Sequence, residues 1–94
     1  MTIAHEEIVA VAMRDAQTHL IYSLPRPKRH HDLGIALVKL GHPWPITKGK
    51  VQGFITSAGR FVSRAEALQI AKAAGQLLPN EPVDSKYLFS ENVW

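Results

Sequence analysis

The stretch Gly53-Phe54-Ile55-Thr56-Ser57-Ala58-Gly59-Arg60-Phe61-Val62-Ser63-Arg64-Ala65-Glu66-Ala67 constrains this chain more than any other. Residues 51–56 read as a strand. Ser57-Ala58-Gly59-Arg60 reads as a turn in which Gly59 supplies a positive φ. Phe61 and Val62 return as a short strand. Ser63-Arg64-Ala65-Glu66 has the capping-box pattern, in which the Ser and Glu side chains satisfy each other's helix-end N–H groups. Leu68, Ile70, Ala71 and Ala74 then form an inward stripe at helical spacing, and Gly75 stops the helix. A hairpin that runs directly into an amphipathic helix commits the chain to a mixed architecture.

The preceding residues repeat that order. Residues 7–15 read as a strand carrying Ile8, Val9, Val11 and Met13. Asp15-Ala16-Gln17 reads as a turn, and residues 18–24 as a return strand with Leu20, Tyr22 and Leu24 on one face. Pro25 and Pro27 end this hairpin, because each lacks a backbone donor and restricts its predecessor. Leu33, Ile35, Ala36, Leu37, Val38 and Leu40 suit a mostly buried helix. Gly34 weakens that helix by about 1 kcal/mol relative to Ala. Gly41 is its stop, and Pro43 prevents continuation. His42-Pro43-Trp44-Pro45 is a stiff connector. Pro79 and Pro82 break the chain again, and Tyr87, Leu88, Phe89, Val93 and Trp94 form an apolar tail expected to pack back. With 94 residues, the expectation is one domain over 1–94. Its fold class is α+β: an antiparallel sheet of three to five strands in two hairpins, with two helices packed on one face.

Charge gives the functional direction. Residues 26–64 hold eight Lys/Arg against one acid, Asp32, a local excess of +7 in a chain of net +3. A small domain with its positive charge concentrated centrally suits an anionic partner. The run Arg26-Pro27-Lys28-Arg29-His30-His31 is the sharpest candidate: its prolines limit the unbound conformations, and it opens onto a helix N-terminus, which favours anions. The bland reading is a solvated basic loop. Lys48, Lys50, Arg60 and Arg64 extend the candidate set. Arg64 is poorly placed for the helix dipole; a pairing with Glu91 or Asp84 is its structural alternative. Trp44 and Trp94 offer stacking surfaces, although core packing is the commoner fate of aromatics in so small a domain.

Catalytic readings find less. The five histidines include adjacent His30 and His31, which on a helix point about 100° apart rather than sharing a face as a helical zinc pair does. There is no Gly-x-Ser-x-Gly elbow and no phosphate-binding glycine loop. The chain has no cysteine, so thiolate metal sites are excluded. Residues 1–7 lack the charged start and long apolar run expected of a signal peptide, and the longest apolar run, residues 8–13, is far short of a membrane span. The expectation is a non-enzymatic binding protein with no cofactor, metal, membrane or small-molecule substrate.

Residues 53–76, the closing Leu88-Phe89-Ser90-Glu91-Asn92-Val93-Trp94, and His30-His31 resemble segments of small phage and prophage proteins. Within that setting the chain resembles phage anti-CRISPR proteins that inhibit type I-F RNA-guided surveillance complexes. The resemblance implies stoichiometric inhibition in the host bacterial cytoplasm, with the complex's subunits and its guide RNA as partners and target DNA kept out. It assigns no residue. The contact candidates, Arg26, Lys28, Arg29, His30, His31, Lys48, Lys50, Arg60 and Arg64, come from charge alone and are expected to include one basic face built from residues 26–31 with Lys48 and Lys50. A basic chain is a poor mimic of DNA; such complexes hold their heteroduplex in a positively charged channel, so contact with RNA or with acidic patches is the consistent version. The alternatives are a phage-encoded nucleic-acid-binding regulator and, more remotely, a small metal-dependent hydrolase.

Overall fold

A computed structural model describes residues 6–42, 49–79 and 86–94. Lys48, Trp44, Pro43, Pro45, Pro82 and Asp84, singled out above, lie outside the described residues. The order is β1 (Ile8–Asp15), β2 (Ile21–Pro25), α1 (His30–Lys39), β3 (Lys50–Thr56), β4 (Phe61–Ser63) and α2 (Arg64–Ala73), followed by a 3-10 turn over Ser90–Asn92. The strands form one antiparallel sheet in the order β2-β1-β3-β4. It is thus an α+β fold of two hairpins joined through β1 and β3, as the residue pattern predicts.

Both helices cover one face. Leu33 and Leu37 of α1 and Ala67, Leu68 and Ala71 of α2 share a buried cluster with Val11, Met13, Phe54 and Val62. Val11 faces Leu24 on one side and Phe54 on the other, and Phe54 faces Val62. The core-facing row therefore crosses all four strands. Simple alternation would turn Ile8 away from Val11, yet both are fully buried. A register shift between Ile8 and Ala10 inserts an extra residue, Val9, and returns Ile8 to the core face. Gln76 secures the bulge: its Oε1 accepts from the Ile8 N–H at 2.8 Å, and its Nε2 donates to the Ile8 carbonyl at 2.9 Å.

The turn chemistry follows the local residues. Asp15 Oδ1 accepts from the N–H groups of Gln17 and Thr18, and His19 sits at φ 62°. This turn consumes residues 16–20, so β2 begins at Ile21 rather than at Thr18, and Leu20 lies outside it. Gly59 has φ 80° and Gly41 φ 90°, the left-handed conformations that a tight hairpin turn and a helix stop need. Ser63 Oγ accepts from the Glu66 N–H at 3.1 Å. The reciprocal half of the expected box is replaced, because the Glu66 carboxylate meets Arg60 instead. Ser63→Ala should lower stability by about 1 kcal/mol, read as a lower midpoint in a thermal melt.

The burial of α1 also departs from the residue pattern. The α1 helix is not mostly buried: Leu33 and Leu37 are, but Ile35 and Val38 are nearly half exposed and Leu40 more so. A helix lying on one sheet face buries one stripe, here at i and i+4. The remaining apolar residues of α1 point outward.

Candidate functional site

The connection between β2 and α1 is held from below by the last residues of the chain. Leu88 and Val93 are buried in the core, and Trp94 follows with its ring edge-on to Phe54 at 6.4 Å. The Trp94 indole Nε1 donates to the Lys28 carbonyl at 2.8 Å. Arg29 Nη2 donates back to the Trp94 main-chain oxygen at 2.5 Å, with Glu91 at 3.9 Å from Nη1. Asp32 Oδ2 accepts from the Arg29 N–H at 2.8 Å, closing the first turn of α1. The next residue points inward: His30 Nε2 donates to the Gly53 carbonyl at 2.7 Å, and its ring stands edge-on to Phe54 at 4.9 Å. Burial, more than any nearby charge, pushes the His30 pKa down.

The candidates therefore divide by task. Arg26, Lys28 and His31 are exposed on this stapled loop and the first turn of α1. Arg29 and His30 are engaged in holding it. The arrangement resolves a sequence ambiguity in favour of structure for Trp94, whose indole is a strut.

The remaining cations lie elsewhere. Lys50 pairs in register with Asp15, whereas the loop leaves β2 at Pro25, opposite Ala10. At about 3.4 Å per residue the two ends are about 17 Å apart along β1, so Lys50 is not adjacent to residues 26–31. Arg60 is clamped by Glu6, Nε to Oε2 at 2.9 Å and Nη2 to Oε1 at 2.8 Å, with Glu66 at 3.3 Å. Thr56 Oγ1 donates to the same Glu6 carboxylate. Arg64 stands over the rings of Tyr87 and Phe89, at 5.7 and 5.2 Å, a cation–π contact. Of the two carboxylates in its structural alternative, Glu91 is beside Arg29 and Asp84 lies outside the described residues.

The Arg60 bond holds the Glu6 carboxyl down, to about 2 from 4.5, helped by Thr56. Arg60 is raised in turn, chiefly by the Glu6 hydrogen bond. A carboxyl whose folded pKa is depressed stabilises fully above its unfolded value and loses that contribution as pH falls through the folded one. Melting temperature should therefore drop between pH 4.5 and about 2 through this group. Glu6→Gln should flatten that part of the profile, measured as melting temperature against pH at low salt.

Lys39 stands outside the charge-based contact candidates. It lines an open groove of about 320 Å³ together with Leu24, Lys28, Asp32, Ile35 and Ala36. Helical spacing from Asp32 through Ile35 and Ala36 to Lys39 was the available signal. Among the described residues there is no cluster of His, Asp and Glu suited to a metal ion, and no helix long and apolar enough to cross a membrane.

Fold and site together describe a small α+β protein that displays a braced cationic loop beside an open groove. Residues 7–94 match the family described as Phage T4 y16D protein, and the chain belongs to that phage family. No curated protein and no solved structure matches it.

Proposed function

We propose that this phage protein acts by occupancy rather than catalysis, docking in the host bacterial cytoplasm on an RNA-guided surveillance complex of type I-F and keeping target DNA out. The observation that carries the binding role is the braced loop: Arg26, Lys28 and His31 face outward on a backbone held by Trp94, Arg29 and His30. A loop ordered before binding loses less entropy when it docks, and its cations suit phosphates of a guide RNA or an acidic protein patch. Membership of a phage family supports action on a host component. The choice of target rests on the sequence resemblance.

The test is a target-DNA capture assay at constant surveillance complex, with the protein added from far below to above equimolar. Inhibition should be complete near a fixed ratio to the complex. Arg26→Glu with Lys28→Glu should abolish it while leaving the melting temperature nearly unchanged, because exposed loop charges contribute little to stability. Complete, time-dependent inactivation at a small fraction of an equivalent would point to turnover instead. Tight binding of free protein to DNA with a steep salt slope, and none to the complex, would favour the regulator.

A further inference from the structure

The β2 strand is one edge of the sheet, and α1 runs beside it. Leu24 of β2 lines the groove with Ile35 and Ala36 of α1. At the other end of the helix, His42 packs edge-on against Tyr22 of β2 at 4.9 Å. Contacts at both ends make the groove parallel to the strand. Hydrogen bonds from Asp15 N–H to the Leu20 carbonyl and from Arg26 N–H to the Val9 carbonyl bracket the β1–β2 ladder. Alternation from those two bonds turns the N–H and C=O groups of Tyr22 and Leu24 toward β1 and those of Ile21 and Ser23 outward.

Among the described residues, that edge is protected only by its shortness and by a proline at its end. The β2 sequence, Ile21–Pro25, holds no charged residue, and its one proline is terminal. Ile21 is 46% exposed on the sheet face away from α1, and Ile35, which lines the groove, is 44% exposed. The groove's lining carries two cations to one anion: Lys28 stands before α1 and Lys39 in its last turn, while the Asp32 carboxylate between them is turned to the Arg29 N–H. The helix between them is about 15 Å long, the span of roughly four or five extended residues.

We infer that the groove between α1 and the β2 edge takes an extended acidic peptide segment as an added strand, its backbone pairing with Ile21 and Ser23 and its carboxylates meeting Lys28 and Lys39. An apolar side chain of the segment would enter between Leu24, Ile35 and Ala36. This mode of recognition draws affinity from main-chain hydrogen bonds and specificity from alternate side chains. A second copy of this chain fits poorly, since edge-to-edge pairing sets Lys against Lys between molecules of net charge +3. Nucleic acid lacks the peptide backbone that the edge requires. The inference deepens the proposed binding role and rests on it only for the source of the segment, a protein of the host assembly.

The probe is a fluorescent synthetic peptide in which Glu and Val alternate, titrated with the whole protein and followed by anisotropy. Saturable binding is expected, with amide shifts at Ile21 and Ser23 in the NMR spectrum. N-methylation of alternate peptide amides should weaken it roughly tenfold or more, through lost backbone hydrogen bonds. The variant carrying Lys28→Glu and Lys39→Glu should lose this peptide and bind its Lys–Val counterpart. Binding indifferent to N-methylation in both registers, binding unaffected by charge reversal, no saturation, displacement by oligouridylate acting on the same amides, or a dimer formed through β2 would each overturn the inference. The peptide assay contains no surveillance complex: peptide binding with failed DNA-capture inhibition would sink the proposed target alone, and the reverse would sink this site alone.

Discussion

Phe54→Ala is expected to lower the unfolding free energy by about 3–5 kcal/mol, a large part of the 5–15 kcal/mol typical of a domain. Phe54 is fully buried at the centre of the core-facing row, flanked by Val11 and Val62 on the adjacent strands. Its ring also supports two groups beyond the sheet, His30 at 4.9 Å and Trp94 at 6.4 Å. Removing the ring leaves a cavity that rigid strands cannot collapse to fill. The loss should reach the candidate site, because Trp94 holds the Lys28 carbonyl and His30 opens α1. Urea unfolding gives the stability, and amide exchange at residues 28–33 gives the local effect. An unchanged urea midpoint would refute the placement of Phe54 at the core centre. Faster exchange confined to β3 would refute the proposed support of the loop.

Gly53→Ala should be nearly as damaging, by roughly 3 kcal/mol, although it adds a single carbon. A Cβ at Gly53 would lie 2.2 Å from the Val62 carbonyl oxygen and 2.7 Å from Cζ of Phe61. The Phe61 ring can swing aside. The carbonyl belongs to the β4 backbone and moves only if the strand does. The β4 strand is three residues long and runs straight into α2, whose cap is Ser63. Displacing it therefore loosens both the hairpin and the helix start. Gly34→Ala is the control: nothing lies within 4 Å of its added Cβ, and replacing a helical Gly should stabilise by about 1 kcal/mol. Opposite signs in the two melting midpoints are expected; equal shifts would mean that the close approach at Gly53 is absent.

Gly53 illustrates where the sequence stops being informative. In the sequence it is a strand residue before a turn, and its neighbours across β4 belong to a pairing that only the folded sheet creates. Gly41, Gly59 and Gly75 were legible, because a helix stop or tight turn is written within four or five residues. Ser63 was legible for the same reason, as were the two hairpins and the Asp15 turn. The Val9 bulge was not: it depends on Gln76, 68 residues away, closing on Ile8. Nor was the exposure of Ile35 and Val38, because apolar residues around a helix do not say which stripe the sheet will cover.

The sequence by itself determined the element order, the α+β class and the central excess of positive charge, all properties of short windows or of composition. Only the tertiary structure decided how each cation is used. Arg60 meets Glu6 across 54 residues and Arg29 meets Trp94 across 65, while Arg26, Lys28 and Lys39 remain exposed beside a groove that exists only once α1 lies along β2. A charge can be read one residue at a time. Its partner is set by the topology that brings distant segments within a few ångströms, where Coulomb and hydrogen-bond energies act.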